Sequence, residues 1–579
     1  MNMIRLRHFL IVLLMLSSAH LMNAQFILDG RRPFFDNRTK TYLLPVPEDY
    51  FGKPCTLSFV PDDSISWVSQ DAWYVTDKMY FRNLKSDTTY TFSYWVYPVG
   101  YAVKLRFTSL PVVKLVGDIG EDYTQGEFWM QVPEDTSTLR LNAKIKWAGS
   151  STNRPWFKKH NYHLKFQDEN HEKMEVSFYG LRKDNHWRID GGVIDFSRVR
   201  NKVSHELWAD MAHKPYYADV QPNARSYCRS FFIDLFDNQK FKGFVNLAEY
   251  MDRKQMKLKK YDDATGEFHG MLWKAKDASW QTLFAATAAY DNTSDYWCGF
   301  EMEYPDLDDV PRTDYHILSN AISFVVKSTD TEFRQHVGEF FDLPVLVDYY
   351  VFINVLLASD NVCKNILWAC YDGAVDKKLT LAVWDLDAVM GQYWSNDDEY
   401  YHGPVVAPEN NLGDVSRFSD NRLFNRLMEW DEFRNQVNER YWQLRRGVLS
   451  PDRLIGRFST TFDDLRKRGA IYREEDYFNH SSDLSGRELN FANELEYLSD
   501  WIQRRIDYLD HNTFAIEGGC VIGDVDGDGE VTISDVVAII EILLGKQVDQ
   551  GTLYRSDMDQ DGEVRISDVN TVIDYILTR

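Results

Sequence analysis

The polar residues with the most distinctive spacing lie between residues 343 and 391. An apolar segment, LPVLVDYYVFINVLLAS, predicts a buried helix and is followed at once by Asp360, with Asn365 later in the same loop. Two apolar segments come next, NILWACY and LTLAVW, and the turn residues DGAVDKK between them predict a β-hairpin. The second segment leads into Asp385 and Asp387. The order is therefore helix, Asp, Asn, hairpin and a closing pair of acids.

This order of residue types suits the transfer of a phosphoryl group. In kinases one Asp positions the acceptor hydroxyl, an Asn in the same loop reaches a metal ion, and an Asp beyond a hairpin holds Mg²⁺ against the phosphates. Side chains alternate along an extended strand, which predicts that Asp385 and Asp387 lie on one face and approach one metal ion. The spacing therefore favours phosphoryl transfer as the chemistry of this region.

A second group of acids, near the C-terminus, has the spacing of a repeated calcium-binding loop. The segments DVDGDGEVTISD and DMDQDGEVRISD each fit the pattern D-x-D-x-D-G followed by a closing acid. Such a loop supplies the alternating carboxylates, the backbone carbonyl and the sharp turn that Ca²⁺ requires. The predicted ligands are Asp524, Asp526, Asp528, the carbonyl of Glu530, Thr532 at the often water-mediated ninth position and Asp535, and in the second loop Asp557, Asp559, Asp561, the carbonyl of Glu563 and Asp568.

The two loops and the apolar helical segments after them, VVAIIEILLG and VNTVIDYILT, resemble a type I dockerin. The resemblance covers residues 521–579. It implies two bound Ca²⁺ ions and, as partner, a cohesin module of a scaffold protein. In that family the tenth and eleventh loop positions help to choose the cohesin. Here they read Ile533-Ser534 and Ile566-Ser567, and this near-identity is consistent with two alternative docking orientations.

The overall composition limits the classes of function that the rest of the chain can serve. The 579 residues include 65 Lys and Arg against 88 Asp and Glu, which gives a net charge of −23. This acidic balance argues against nucleic-acid binding and against docking on an anionic membrane. Hydrophobic residues at 44% and charged residues at 26% are globular proportions, so a multidomain folded protein is expected.

The fold class expected from the chain is multidomain α+β. Residues 1–24 predict a secretory signal peptide, because Arg5 and Arg7 precede an apolar run that ends in small residues, and the protein is therefore expected to be secreted. No later apolar segment is long enough to predict a membrane span. Short alternating segments predict a β-sandwich over 25–112. A large two-lobed α+β domain is expected over 113–514, a linker over 515–520 and a small all-α calcium-binding module over 521–579.

The large domain resembles the spore-coat protein H (CotH) kinase family, a group of atypical secreted or coat-associated protein kinases. The resemblance depends on NAKIKWAGSS with KKHNYHLKF, on DFSRVRNKVSHEL, on FKGFVNLAEYMD and on SDNVCKN with AVWDLDAVMG. It implies an atypical kinase-like fold and ATP with Mg²⁺ or Mn²⁺ as cofactors. It also implies Ser or Thr hydroxyls of extracellular proteins as the phosphate acceptors.

The resemblance also implies roles for individual residues. Asp360 would be the catalytic-loop acid and Asn365 its metal-binding companion. Asp385 would be the main Mg²⁺ or Mn²⁺ ligand, with Asp387 assisting.

The resemblance does not decide which of two lysines contacts the nucleotide phosphates. Either Lys159 or Lys165 would meet the ATP phosphates, and Glu249 would pair with that lysine. The family has R-G-N-S-S in the turn before these lysines, whereas this chain has Trp147-Ala148-Gly149-Ser150-Ser151. The turn therefore lacks the Arg and the Asn of the family pattern.

Three functions fit the sequence. The first is a secreted protein kinase attached by its dockerin to a cohesin-bearing, cellulosome-like assembly. The second is a non-catalytic binding or structural subunit of a polysaccharide-degrading complex, since the aromatic content of 15% suits sugar stacking as well as core packing. The third is a carbohydrate-active enzyme that uses its acids on a sugar. Phosphate transfer would favour the first function. Binding of polysaccharide without binding of nucleotide would favour the second, and release of sugar would favour the third.

Overall fold

The computed structural model describes residues 26–63, 65–71, 73–149, 153, 157–307, 310–394, 400–406, 421–479 and 488–578. The predicted signal peptide, residues 1–24, lies outside the described residues. The described chain divides into two compact units. The first comprises the described residues up to Val193, with Ser230–Glu249 and Thr460–Phe491. The second comprises Ile194–Arg229, Tyr250–Ser459 and Ala492–Arg579.

Short strands dominate the first part of the chain and helices the second. The strands are β1 Phe26–Leu28, β2 Phe34–Asp36, β3 Thr41–Pro45, β4 Cys55–Pro61, β5 Trp67–Gln70, β6 Trp73–Val75, β7 Lys78–Phe81, β8 Tyr90–Val96, β9 Val99–Thr108, β10 Val112–Gly117, β11 Thr124–Gln131, β12 Leu139–Ala148, β13 Asn161–Gln167, β14 His186–Asp190, β15 Ser230–Asp237, β16 Lys240–Glu249, β17 Met271–Ala275, β18 Tyr296–Trp297, β19 Phe300–Tyr304, β20 Ile366–Cys370, β21 Thr380–Val383, β22 Gln392–Trp394 and β23 Tyr400–His402. The helices are α1 Arg200–Met211, α2 Arg253–Met256, α3 His316–Lys327, α4 Asp330–Phe340, α5 Leu343–Leu356, α6 Arg422–Met428, α7 Asp431–Arg445, α8 Pro451–Lys467, α9 Ala470–Phe478, α10 Phe491–Tyr508, α11 Ile533–Leu543, α12 Gln550–Ser556 and α13 Ile566–Thr578.

The first unit begins with a β module, defined here as residues 26–108. Its strands form a six-stranded sheet, in the order β2-β3-β9-β8-β5-β6, and a three-stranded sheet, β1-β4-β7. Apolar side chains from both sheets share one core, which includes Phe26, Leu57 and Phe59 from the smaller sheet and Phe92 and Leu105 from the larger. The N-terminal region is therefore rich in β-strands that share one core, and the β-sandwich predicted over 25–112 stays a prediction.

A closed barrel follows the β module in the same unit. Its strands run in the order β10-β11-β12-β13-β14-β16-β15, and a parallel pairing of β10 with β15 closes it. Along β13 the side chains of Tyr162, Leu164 and Phe166 are fully buried in the barrel core, whereas His163 and Lys165 between them are partly exposed. This alternation explains the strand, because each apolar side chain reaches the interior at every second position.

The second unit contains a five-stranded sheet, in the order β18-β19-β17-β20-β21, and most of the helices. Helix α5 is buried on nearly every side, since its residues are apolar around the whole helix rather than along one face. The helix ends at Leu356, and the next residue, Leu357, has φ +49° and leaves the helical path. In the part of the chain that the structure describes, each helix is too short or too polar to cross a membrane.

The main elements agree with the sequence-based predictions. The expected hairpin corresponds to β20 and β21. The helices expected after the two acidic loops correspond to α11 and α13. The kinase-like, two-lobed arrangement of residues 113–514 stays a prediction.

Candidate functional sites

The register of the β20–β21 hairpin brings the predicted catalytic loop next to the predicted metal-binding acids. Ile366 lies opposite Val383, so Asn365 and Trp384, one residue beyond each strand, lie at the same end of the hairpin. The backbone N–H of Asn365 also donates to the carbonyl of Ala275, at the end of β17. The structure therefore gathers the segment that follows Asp360 and the segment that leads to Asp385 at one edge of the five-stranded sheet.

Asn361 fixes these two segments to each other. Its side chain is 1% exposed, and its Nδ2 donates to the carbonyl of Trp384 at 2.9 Å and to that of Asn365 at 3.3 Å. The hydroxyl of Tyr349 on α5 donates to the carbonyl of Asn361 at 2.6 Å. Asn361 has no predicted role from its sequence position, although it stands between Asp360 and Asn365, the two residues of the catalytic prediction. Asn361 ties the loop of Asp360 to the chain just before Asp385.

Asp360 begins a single 3₁₀ turn, Asp360–Val362, and has a cation beside its carboxylate. Lys364 Nζ lies 2.8 Å from Asp360 Oδ2. Asn365 Nδ2 donates to the same oxygen at 3.4 Å. The two predicted catalytic residues are therefore neighbours, and Lys364, which the sequence analysis did not single out, belongs to the same group.

The backbone at Asp385 corrects one sequence-based expectation. Strand β21 ends at Val383, and Asp385 has φ +57°, in the left-handed region that Asp tolerates better than most residues. Because the chain is not extended there, strand alternation does not place Asp385 and Asp387 on one face, and that argument was wrong. The backbone N–H of Leu386 donates to Asn201 Oδ1 at 3.0 Å, which holds the turn between the two acids.

A buried ionic network anchors Asn201 through the adjacent Arg200. The Arg200 side chain is fully buried and forms 2.7 Å ion pairs with Asp195 and with Glu494. Its Nη2 also donates to the carbonyl of Met390 at 3.2 Å, a few residues beyond the acids. The segment DFSRVRN thus fixes the start of α1 to the loop that carries Asp385 and Asp387.

Replacing Arg200 by Met is expected to destabilise the protein by about 3–5 kcal/mol, because Asp195 would stay buried without its cation and Glu494 would keep only His402 as a partner. Chemical denaturation of the full chain measures this loss. Lys202→Met is the matched control, since Lys202 lies on the same helix and pairs with the half-exposed Glu206. Equal stability of the two variants would contradict the assigned role of the network.

The first unit places Lys159 in a different pair from the predicted one. Lys159 is fully buried, and its Nζ donates to Glu474 Oε1 at 2.7 Å and to the carbonyl of Phe244 at 2.5 Å. Glu249 lies five residues beyond Phe244 on β16, about 16 Å along the strand at about 3.3 Å per residue. Its carboxylate accepts from the backbone N–H of Arg182 at 2.8 Å. Lys159 therefore pairs with Glu474 on α9 rather than with Glu249.

Lys165, the second candidate lysine, belongs to a cationic group on the outer face of the barrel. Lys165 and Lys146 both approach the ring of Tyr123, at 4.8 and 4.7 Å from its centre. His186 Nε2 lies 3.3 Å from His163 Nδ1, and burial and the charge of Lys165 lower the pKa of His186 to about 3. This group is separate from the Lys159–Glu474 pair.

Residues 150–152 and 154–156 of the predicted phosphate-side turn lie outside the described residues.

The two acidic loops bring their first three acids together. The ligand oxygens of Asp524, Asp526 and Asp528 lie within 4.8 Å of one another, and so do those of Asp557, Asp559 and Asp561. These are the two groups of three or more such ligands found among the described residues, so Asp360, Asp385 and Asp387 do not form one. Burial and the neighbouring carboxylates raise the pKa of Asp557 to about 6. Converging carboxylates that repel one another fit a divalent cation.

The closing acid of each loop holds the loop backbone in place. Asp535 Oδ1 accepts from the N–H groups of Val525 and Asp526 at 2.6 and 3.1 Å, and its Oδ2 accepts from that of Thr532 at 2.8 Å. Asp568 makes the equivalent bonds in the second loop. The hydroxyl of Thr532 accepts from Ser534 N at the start of α11. The roles of Thr532, Asp535, Asp568 and the Glu530 and Glu563 carbonyls as ligands stay predictions.

The second loop differs from the first at its ninth position, where Arg565 stands in place of Thr532. Arg565 forms an ion pair with Asp561 at 2.9 Å and another with Glu563. Arg565→Thr is expected to raise the Ca²⁺ affinity of this loop about two- to fivefold, the usual range for removing an exposed pair. Calorimetric titration measures the change. Lys546→Thr, which removes an exposed pair with Glu541 outside both loops, is the control and should leave both affinities unchanged.

Comparison with protein-family models gives two matches. The CotH kinase protein model matches residues 145–509, which is more than half of the 579 residues. The chain belongs to the CotH kinase family. The dockerin type I domain model matches residues 522–577, so this CotH kinase protein carries a C-terminal dockerin. Among curated proteins, none matches the chain. Both resemblances inferred from the sequence motifs are confirmed.

Glu474 was not predicted as a site residue, although the pattern of its helix gives a clear signal for it. Ala470, Glu474 and Phe478 recur at intervals of four along α9, and all three are buried. An acid on the apolar face of an amphipathic helix is a candidate for a buried ion pair. The partner itself could not be found this way, because Lys159 lies 315 residues earlier in the chain.

The dockerin packs against helix α7 of the CotH kinase region in the second unit. The rings of Tyr554 on α12 and Trp442 on α7 lie 4.7 Å apart. Arg446, just after α7, donates to Gln550 Oε1 at 2.5 Å and to the carbonyl of Gly562 at 3.4 Å. The described chain thus fastens α12 and the second acidic loop to the end of α7.

The residues predicted as a linker, 515–520, are also held by side chains. Arg555 on α12 donates to the carbonyls of Glu517 and Gly519 at 3.2 and 3.0 Å. Just before them, the carbonyl of Phe514 accepts from Trp442 Nε1 at 2.9 Å. These contacts tie the connection to both the CotH kinase region and the dockerin.

Proposed function

We propose that this CotH kinase protein transfers the γ-phosphate of ATP to Ser or Thr hydroxyls of extracellular proteins, and that its dockerin attaches it to a cohesin-bearing, cellulosome-like scaffold. The observation that carries the proposal is the Asn361 bridge between the Asp360 loop and Trp384. It supports the proposal because kinase chemistry needs a hydroxyl-orienting Asp beside a metal-holding Asp.

In the proposed reaction Asp360 orients the acceptor hydroxyl and accepts its proton. The hydroxyl oxygen forms a bond to the γ-phosphorus, the bond from that phosphorus to the bridging oxygen breaks, and ADP leaves. In this proposal Lys364, 2.8 Å from Asp360, would offset the negative charge of the transferred phosphoryl group. Most of the catalysis expected of such a site is positioning and charge stabilisation.

The donor set proposed for Mg²⁺ or Mn²⁺ is oxygen-rich and fits a hard cation. Asp385 and Asp387 offer carboxylates and Asn365 an amide oxygen, and Mg²⁺ commonly takes only one or two protein carboxylates together with substrate phosphates. When bound, the ion would neutralise the charge of the phosphates. Lys159, held by Glu474, is the lysine we propose for the phosphates, with Lys165 as the alternative. A role for Glu249 at the nucleotide stays part of the proposal.

The test is transfer of labelled phosphate from ATP by the full chain. Purified protein is incubated with γ-labelled ATP and Mg²⁺ or Mn²⁺, alone and with other secreted proteins, and modified residues are located by mass spectrometry. Metal-dependent labelling of Ser or Thr would support the proposal. No labelling, together with no change in melting temperature on adding Mg²⁺–ATP, would refute it.

A non-catalytic binding subunit is the second candidate function. The observation in its favour is the turn Trp147-Ala148-Gly149, which lacks the Arg and Asn of the family pattern on the phosphate side. In this case polysaccharide binding would be measurable without nucleotide binding. Release of sugar from that polysaccharide would instead favour the third function, a carbohydrate-active enzyme.

A further inference from the structure

Helix α9 contacts two parts of the first unit, the barrel and the β module. Towards the barrel, Glu474 accepts from Lys159 Nζ at 2.7 Å and from the backbone N–H of Phe244 at 3.1 Å. The side chains of Lys159 and Glu474 are both fully buried. The position of this ion pair therefore depends on where α9 lies against β16.

Three other residues of α9 contact the β module. Tyr477 accepts a 2.6 Å hydrogen bond from Arg38 Nη1, and Asp476 pairs with Arg106 Nη2 at 2.7 Å. Arg473 Nη2 donates to Thr108 Oγ1 at 2.8 Å and also pairs with Asp234 on β15 of the barrel at 2.7 Å. Residues on either side of Glu474 in the helix are thus held by the N-terminal module.

The module also contacts the turn where α9 begins. Gly469 has φ +72°, and a Cβ atom there would lie 2.2 Å from the carbonyl oxygen of Ser86. Ser86 Oγ donates to the carbonyl of Lys467 at 2.7 Å. The backbone of Ser86 lies so close to Gly469 that no side chain larger than a hydrogen atom fits at position 469. The N-terminus of α9 therefore has little freedom to shift.

We propose that the β module is a positioning element for α9, and that it thereby sets the geometry of the Glu474–Lys159 pair. A helix of nine residues has little stability of its own, so its tertiary contacts decide its position. The consequence for catalysis rests on the proposed function, in which Lys159 meets the nucleotide phosphates. The module then acts within the chain as an activating partner of the transferase site.

The test uses the full chain with Arg38→Ala and Arg106→Ala together. Both arginines are partly exposed, at 34% and 28% of their side chains. Hydrogen exchange of residues 470–478 is expected to become about tenfold faster, and Lys159 is expected to react several-fold faster with an amine-acylating reagent. Lys53→Ala is the matched control, because Lys53 belongs to the same module and pairs with the exposed Asp49.

A second variant, Asp476→Ala, removes the Arg106 contact from the α9 side and leaves the module unaltered. It should give the same changes to a smaller extent, and it keeps the test valid if the double variant does not fold. Unchanged exchange and unchanged Lys159 labelling in the folded variants would overturn the positioning role.

Binding of Mg²⁺–ATP, measured separately, distinguishes the two proposals. If the unmodified chain binds no nucleotide, the proposed function fails, while the exchange and labelling results still test the positioning of α9. If the unmodified chain binds nucleotide, affinity in the double variant should fall about fivefold or more. Equal affinities would overturn the link between α9 and the site.

Discussion

Asp360→Asn should lower the rate of γ-phosphate transfer by about 10²–10⁴-fold, the range attributed to a positioned proton acceptor. The amide keeps the size of the side chain but cannot accept the proton of the attacking hydroxyl. The affinity for Mg²⁺–ATP should change little, because the proposed metal ligands are on other residues. Initial rates of phosphate transfer and a separate nucleotide titration measure the two quantities.

Asp385→Asn should lower both quantities. Losing a charged metal ligand weakens the binding of the Mg²⁺–ATP complex itself, so both nucleotide affinity and transfer should fall. Asp376→Asn is the matched control, since Asp376 lies in the turn at the other end of the same hairpin and accepts from Lys378 N. Full transfer activity in the Asp360 variant would contradict the proposed mechanism, whereas loss of activity in the Asp376 variant would indicate a general defect of the hairpin.

Removing Ca²⁺ should unfold the dockerin and abolish its binding to a cohesin. Each loop gathers carboxylates within 4.8 Å of one another, and without a cation their repulsion opposes folding. A bound ion at a free concentration about a thousand times its dissociation constant contributes about 4 kcal/mol of stability. Circular dichroism and calorimetry of the full chain, in Ca²⁺ and in a calcium chelator, measure the loss.

The variant Asp524→Ala with Asp557→Ala should reproduce the effect of the chelator in the presence of Ca²⁺. The melting of the CotH kinase region should shift less than that of the dockerin, because the ion pairs described for that region contain no predicted calcium ligand. A dockerin that melts at the same temperature in Ca²⁺ and in chelator would show that the acidic loops hold no structural cation.

The elements of the candidate site that could be predicted from the sequence are those encoded by short-range patterns. The hairpin before Asp385 was predictable because two apolar segments flank a turn, and the acidic loops were predictable because their ligands fall within twelve residues. Local patterns also suffice to place Asp360 and Asn365 in one loop. In each case the residues that act together are close in the chain.

The remaining parts of the site depend on contacts between distant residues or on backbone angles. Glu474 reaches Lys159 across 315 residues, and Glu494 reaches Arg200 from the far end of the CotH kinase region. The positive φ of Asp385 breaks the strand alternation that the sequence analysis assumed. The pattern of a single sequence shows neither the contacts between distant residues nor the backbone angles, since both are determined by packing in the folded chain.

The packing of the dockerin on α7 has a consequence for how the CotH kinase region would be presented on a scaffold. A flexible tether lets a catalytic domain sample a volume that is set by the length of the tether. Here Trp442 and Arg446 contact the dockerin itself and Arg555 holds the connecting residues, so we expect that search volume to be small. Ile533 and Ile566 are both well exposed, at 66% and 65%, which leaves the docking positions of both repeats accessible. If a cohesin binds through either repeat, it would hold the second unit in one of two orientations, and that choice would decide which neighbours on the scaffold come within reach.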